Sequence, residues 1–348
     1  MQHILPSFGL DPAKYSLEPF GSGLINHTWK VSDGNDRYIL QRINKNVFKQ
    51  PRDISENLAT LDAYLKSTAP DYLFAAPLPA ADGKHFAEAD GEFYRLQPFV
   101  KNSKTVNAIT QTKQAFEAAR QFGKFSRLLN SFDAGQLKCT LPDFHNLGLR
   151  VRQFQSALIR AGEEKFNQAE TTIRAIEDHI AIAETYQELL NNEQMPVRVI
   201  HHDTKINNVL FNDNDEGLCV IDLDTVMPGY FISDVGDMMR TYLSPANEEE
   251  QDLEKVQINI DYFKAVYIGY VQEMGDVLTT FEKSLFIYAG KFMIYMQAVR
   301  FLTDFLNGDV YYPTQYPGHN LARAQNQLVL LDRYGQLEDT FTEIIAGA

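Results

Sequence analysis

The spacing of apolar positions along this chain changes near residue 100. Between residues 15 and 41, short apolar runs (28–31 and 38–41) alternate with turn residues, Gly21-Ser22-Gly23 and Asp33-Gly34-Asn35-Asp36. That pattern predicts three strands of a small antiparallel sheet. Pro51 precedes Asp53 and Glu56, whose spacing reads as a capping box for a helix over about 54–66, carrying Leu58, Leu61 and Leu65. Runs at 85–89 and 93–100 flank Asp90-Gly91, a strong hairpin signal.

Beyond Val100 the apolar spacing becomes three and four residues, predicting helices over 112–129, 145–161 and 171–190. Three β-branched runs at 197–200, 209–211 and 219–221 interrupt them, and helices resume from Ser233 to near Asp332. The most apolar stretch, 285–302, contains Lys291, Gln297 and Arg300 and therefore reads as a buried helix rather than a membrane span. The expected architecture is α+β and bilobal. A small antiparallel-sheet lobe over 1–100 joins a large, mostly helical lobe over 101–348, with a cleft between them.

Composition narrows the class. With 348 residues, 44% apolar and 22% charged, the chain can bury enough surface to fold. Its net charge of −14 argues against nucleic acid or an anionic membrane as partner. Two cysteines, Cys139 and Cys219, are too few for a disulfide framework or a four-thiolate zinc site, and both are expected to be buried apolar residues. The first residues lack a basic segment followed by an apolar one, so a soluble cytoplasmic protein without a signal peptide is expected.

Candidate chemistry concentrates in His201-His202-Asp203-Thr204-Lys205-Ile206-Asn207-Asn208, followed by Ile221-Asp222. Each polar group sits at a strand edge, so Asp203, Asn208 and Asp222 are expected to converge. Phosphoryl transfer uses such parts: a carboxylate to orient and deprotonate the hydroxyl, and an amide oxygen with a second carboxylate to hold Mg²⁺ against nucleotide phosphates. In protein-kinase catalytic loops the Asp and Asn also stand five apart. Lys205 can add positive charge for the transferred phosphoryl group. His201 reads as a hydrogen-bonded core residue. His201 and His202 point to opposite strand faces and are poorly placed to share zinc. Upstream, Gly21, Gly23 and Asn26 could form a phosphate loop, although the third glycine is lacking. Arg42, or alternatively Gln41, ends the third strand where a phosphate-pairing cation would stand, with Glu56 as its partner. Phe99 completes the expected nucleotide site, between the two lobes.

At these residues the chain resembles the aminoglycoside phosphotransferase and choline kinase superfamily, with its protein-kinase-like bilobal fold, and most closely the N-acetylhexosamine 1-kinases. The matching stretches are GSGLINHTW (21–29), YILQRIN (38–44), FHNLGLR (144–150), HHDTKINNVL (201–210), IDLDTVMPG (221–229), SDVGDMMR (233–240) and RFLTDFLNGDVYY (300–312). The resemblance implies a nucleotide-binding small lobe and a catalytic, substrate-binding large lobe. It implies Asp203 as base, Asn208 and Asp222 as Mg²⁺ ligands, and Asp234 as the brace of the catalytic loop. The family's Gly-x-Gly-His-Ile-Asn loop carries Leu24 here in place of His. The middle of the catalytic triplet, usually Asn or Gly, is His202.

The expected reaction is ATP-dependent phosphorylation of the anomeric hydroxyl of an N-acetylhexosamine, with no protein partner implied. Arg300 and Asp304, four apart on one helix face, are candidates to hold the sugar and to pair with each other. His145 and Arg150 form a second candidate set. Choline, homoserine or an aminoglycoside antibiotic are alternative acceptors for the same chemistry. A pseudokinase would be expected to lack the base or a metal ligand, and all three residues are present.

Overall fold

The structure, a computed structural model, describes residues 1–21 and 25–348. Five strands form an antiparallel sheet: β1 (Ser16–Pro19), β2 (His27–Ser32), β3 (Arg37–Ile43), β4 (Ala87–Ala89) and β5 (Glu92–Pro98), in the order β1-β2-β3-β5-β4. Asp90 and Gly91 both take positive φ (52° and 72°), the backbone a two-residue type I′ hairpin requires. Strand alternation gives the sheet two faces. Val31, Leu40, Tyr94 and Leu96 pack with Ile4 and Leu5 on one, while Gln41 and Arg95, paired in register, lie on the other.

Helix α1 (Pro51–Thr68) starts earlier than expected, with Gln50 as N-cap and Pro51 in the first turn. Asp53 and Glu56 do not cap it; both carboxylates pair with Lys138 instead. Ile54, Leu58, Leu61 and Leu65 of α1 join the same apolar core as the helical portion, as do Ile43 and Phe48. The apolar interior is therefore continuous across residue 100.

The larger portion holds α2 (Thr112–Leu128), α3 (Leu147–Arg160), α4 (Glu163–Asp178) and α5 (Ala181–Leu190). The single helix expected over 171–190 is thus two. His145 lies just before α3, whose N-cap is Asn146. Two hairpin-like pairs follow: β6 (Arg198–Ile200) with β9 (Met227–Gly229), and β7 (Val209–Phe211) with β8 (Gly217–Val220). Then come α6 (Phe231–Tyr242), α7 (Ile260–Met274), α8 (Thr280–Ser284), α9 (Phe286–Asn307), α10 (His319–Gln336) and α11 (Glu338–Gly347). Helix α9 is the central buried helix, and among the described residues no helix is long and apolar enough to cross a membrane. Cys219 is buried as expected, but Cys139 is exposed, because it lies in the irregular segment after Gln136 rather than in a core element.

Candidate active site

β6 delivers the chain into a loop whose shape is imposed by α6. Asp234 and Asp237 stand three apart and so share a helix face. Asp234 accepts from the backbone N–H of His201 (2.8 Å) and His202 (2.7 Å), and Asp237 from that of Thr204 (2.9 Å). Burial pushes the Asp234 carboxyl up to about 7, against the pull of those two N–H bonds. The Tyr242 hydroxyl donates to the Thr204 carbonyl at 2.6 Å. His202 sits at φ 66°, in the left-handed region that Gly and Asn enter most readily. This accounts for Gly or Asn being usual at that position.

His201 is fully buried and ties the loop to the following strand. Its Nε2 lies 2.9 Å from the Ile221 carbonyl, and its Nδ1 accepts from the Asp203 N–H at 3.4 Å. The Ile221 N–H donates to the Asn208 carbonyl at 2.8 Å. Asp203, Asn208 and Asp222 are therefore gathered by their own backbones. The Asn208 Nδ2 donates to Asp203 Oδ2 at 3.0 Å and to the Asp203 carbonyl at 2.9 Å, and its amide oxygen has no hydrogen-bond partner among the described residues.

Lys205 Nζ lies 3.5 Å from Asp203 Oδ1. Burial would raise the Asp203 carboxyl, but Lys205, His201 and the Asn208 bond together outweigh it and hold it below its ordinary value. Asp203 is thus ionised at neutral pH. Asp203 in turn holds the Lys205 ammonium in its charged form.

Asp222 takes φ 58° and is open to solvent. The crowding of protein around it, with the Asp224 and Asp203 carboxylates, pushes its pKa up to about 7, while Arg95 and Lys205 pull the other way. Among the described residues no three His, Cys, Asp or Glu side chains form a self-sufficient metal cage. A carboxylate beside that amide oxygen, in a spot with surplus negative charge, nevertheless suits Mg²⁺. That ion commonly binds through one or two protein carboxylates plus substrate phosphates.

The nucleotide side departs from the sequence reading. Arg42 pairs in register with Tyr94 and so shares the face of Leu40, opposite Gln41. Glu56 is engaged by Lys138, not by a β3 cation. The buried cation is instead Arg95 of β5. It donates through Nε (2.9 Å) and Nη2 (2.7 Å) to Gln41 Oε1, and through Nη1 to Asp224. Asn26 is also committed: its Nδ2 donates to Asp224 Oδ2 at 2.7 Å, and its Oδ1 accepts from the Asn44 N–H at 3.0 Å. One end of that side chain fastens the β1–β2 connection to the loop after Asp222 and the other fastens it to the segment after β3, so Asn26 braces this corner of the site. Gly21 takes φ 79°, a turn conformation suited to glycine, and Gly23 lies outside the described residues. Phe99, edge-on to Phe20 at 6.0 Å, directly follows β5.

The acceptor-side residues separate into two groups. His145 stacks on Phe144 at 4.4 Å and lies 5.4 Å from the His202 ring. Burial, with neighbouring His202, Arg300 and Arg150, keeps it neutral. Arg300 lies over Phe144 (5.7 Å), Tyr311 (5.9 Å) and Tyr312 (5.5 Å), with Gln297 its hydrogen-bond partner at 3.2 Å. Arg150 donates to the Asp143 carbonyl at 2.9 Å and to Gln153 at 2.9 Å. Asp304 is differently engaged. Its carboxylate accepts from the N–H groups of Val310, Tyr311 and Tyr312 and from Asn320, so it shapes the loop after α9 rather than pairing with Arg300.

Arg300, Arg150, Tyr311 and Tyr312 line a cleft of about 620 Å³ between α3 and α9. A chain of rings from Arg300 through Phe144 to His202, the residue before Asp203, connects it to the catalytic loop.

A sheet tied through Arg95, Gln41 and Asn26 to the loop after Asp222, beside the gathered Asp203 and Asn208, is the arrangement of a phosphotransferase of protein-kinase-like fold. Residues 16–265 match the phosphotransferase enzyme family (APH), and the chain belongs to that family. Among solved structures it is similar to a microcompartment-associated aminopropanol kinase (15% identity, 98% of this chain and 97% of that one, TM-score 0.66). It is also similar to a spectinomycin phosphotransferase solved with ADP and spectinomycin (14% identity, 99% and 95%, TM-score 0.58). A third is choline kinase from Cryptosporidium parvum Iowa II (15% identity, 97% and 95%, TM-score 0.56). At these identities the likeness is one of fold.

Proposed function

We propose that this enzyme transfers the γ-phosphoryl group of ATP to the anomeric hydroxyl of an N-acetylhexosamine, giving the sugar 1-phosphate and ADP. Asp203 orients the hydroxyl and takes its proton; its depressed pKa keeps it ready at neutral pH. Lys205 offers positive charge to the moving phosphoryl group. Asn208 and Asp222 would hold Mg²⁺, which supplies charge neutralisation at the nucleotide phosphates.

One observation carries the choice of acceptor. The cleft between α3 and α9, linked to His202 through Arg300 and Phe144, is walled by guanidinium groups and tyrosines, and the Asp304 carboxylate in its lining is already capped by amides. Guanidinium donors suit the hydroxyl and N-acetyl oxygens of a sugar. They repel quaternary ammonium and aminoglycoside cations, which require carboxylates or an open aromatic cage. The sequence resemblance to N-acetylhexosamine 1-kinases over most of the chain supports the same reading.

ADP release is measured over N-acetylglucosamine, N-acetylgalactosamine, choline, homoserine and an aminoglycoside. Turnover is expected on the hexosamines, with the new phosphate acid-labile at the anomeric carbon. Preferential turnover of a cation would refute the assignment. Asp203→Asn is expected to lower kcat by about 10²–10⁴ with little change in nucleotide affinity.

A further inference from the structure

The cleft between α3 and α9 continues outward past the sugar-facing residues. Arg152 and Arg160 project into it from α3, together with Gln153 and Ser156, and Asn307 faces them from α9. Positions 149, 152, 153, 156 and 160 recur at three- and four-residue spacing, so one stripe of α3 forms this wall. Arg150, Arg152, Arg160 and Arg300 thus meet around a single space.

Their charge is not balanced within the cleft, whose lining sets one carboxylate, that of Asp304, against four guanidiniums. After residue 100 every other arginine has a carboxylate partner among the described residues: Arg120, Arg127, Arg174, Arg198, Arg240, Arg323 and Arg333. None of the four cleft arginines has one. Asp304 faces the same space, but four amide donors occupy its oxygens. The Nε of Arg150 is buried with no partner at all. Arg160 reaches only Asn307 Oδ1, at 3.5 Å. In a chain carrying −14, convergence of four unpaired guanidiniums on one cleft is a repulsive arrangement that an anion would relieve.

We propose that the outer part of this cleft, at Arg152 and Arg160, is an oxyanion subsite, so that the acceptor is an N-acetylhexosamine bearing an acidic substituent. This rests on the hexosamine reading above and adds the substituent to it. A sulfate or phosphate ester, or a carboxylate, presents the planar or tetrahedral oxygens that paired guanidiniums grip.

The test measures kcat/KM of the full-length enzyme for N-acetylglucosamine, its 6-sulfate and its 6-phosphate, and for an N-acetylhexosamine uronate. The same series is run with R152Q/R160Q and with Arg174→Gln, a surface control on α4. The wild type is expected to favour at least one acidic sugar by about tenfold or more, the scale of one charge-assisted hydrogen bond. The acid-to-neutral ratio is expected to fall towards one in R152Q/R160Q and to stand unchanged in Arg174→Gln; which acidic sugar is favoured identifies the group. Equal or better turnover of the neutral sugar would overturn the subsite while leaving the hexosamine assignment intact. Inhibition by inorganic sulfate with no preference for acidic sugars would also overturn it, marking a free-anion site. Turnover of no hexosamine at all, acidic or neutral, would remove both readings.

Discussion

At the scale of single residues, His202 shows how one position serves backbone and charge together. It holds φ 66° so that the loop can present Asp203, and its ring is buried against Gly229 and beside His145. That burial lowers its pKa to about 3 from the ordinary 6.5. The native state therefore refuses a proton that the unfolded chain accepts. Stability from this group is complete above pH 6.5 and is lost progressively as the pH falls from there towards 3. His201 and His145 are shifted in the same direction by burial and add to the acid sensitivity. Each such proton contributes a slope of about 1.4 kcal/mol per pH unit. Asn adopts the left-handed backbone readily and does not titrate. His202→Asn is thus expected to fold, to retain kcat, and to lose urea stability between pH 7 and 5 with a slope shallower by up to one proton. An unchanged slope would show that the ring is protonated in the fold.

At the scale of elements, α6 matters because it carries Asp234 and Asp237, and its seat on α9 depends on Gly236. A Cβ there would stand 2.3 Å from the Ala289 carbonyl oxygen and 2.9 Å from Met293 Cβ. Gly236→Ala must therefore push two buried helices apart, an overpacking cost of about 1–3 kcal/mol or more. A fall in Tm is expected together with a fall in kcat, since the amides of His201, His202 and Thr204 are held from that helix; an unaltered Tm would mean that the contact is soft. Much at this scale was legible in the sequence. Asp90-Gly91 marked its hairpin, the β-branched runs marked β6, β7 and β8, and the spacing of Asp203, Asn208 and Asp222 marked a single locus. Three features escaped for identifiable reasons. The break between α4 and α5 spans His179, at φ −98° and ψ 11°, and Ile180, which stays helical, so the apolar spacing runs through it without glycine or proline. Arg42 was indistinguishable from Gln41 until the register with β5 fixed which face each occupies. Arg300 and Asp304 stand four apart, yet loop amides distant in the helical pattern claim the carboxylate.

At the scale of the whole molecule, the sheet and the helical portion are joined at the catalytic centre by one buried polar cluster. Arg95 and Asp224 are almost wholly excluded from solvent, and Asn26 and Gln41 complete the set from the β1–β2 connection and β3. Asp224 lies two residues beyond Asp222, so the link fastens the sheet to the loop that carries the proposed metal ligand. Its thermodynamics differ from those of a surface ion pair. Removing the cation strands a buried carboxylate, a loss of about 3–5 kcal/mol, whereas removing both charges avoids most of that penalty. Arg95→Met is therefore expected to lower urea stability by roughly that amount. Asp224→Asn is expected to cost a comparable amount, because it leaves the buried Arg95 guanidinium without its counter-charge and turns one of the two acceptor oxygens, which face Arg95 and Asn26, into a donor. The double variant is expected to be more stable than the sum of the two losses, with a coupling of about 0.5–3 kcal/mol in a double-mutant cycle. The functional consequence follows from the position of the cluster. Loosening the sheet from the Asp222 loop should raise the KM for ATP in Arg95→Met more than it raises the KM for the acceptor, whose proposed cleft lies between α3 and α9. Additive stabilities, with both KM values moving together, would show that Arg95 serves only the interior of the sheet and that the two portions are held in place by the apolar packing of α1.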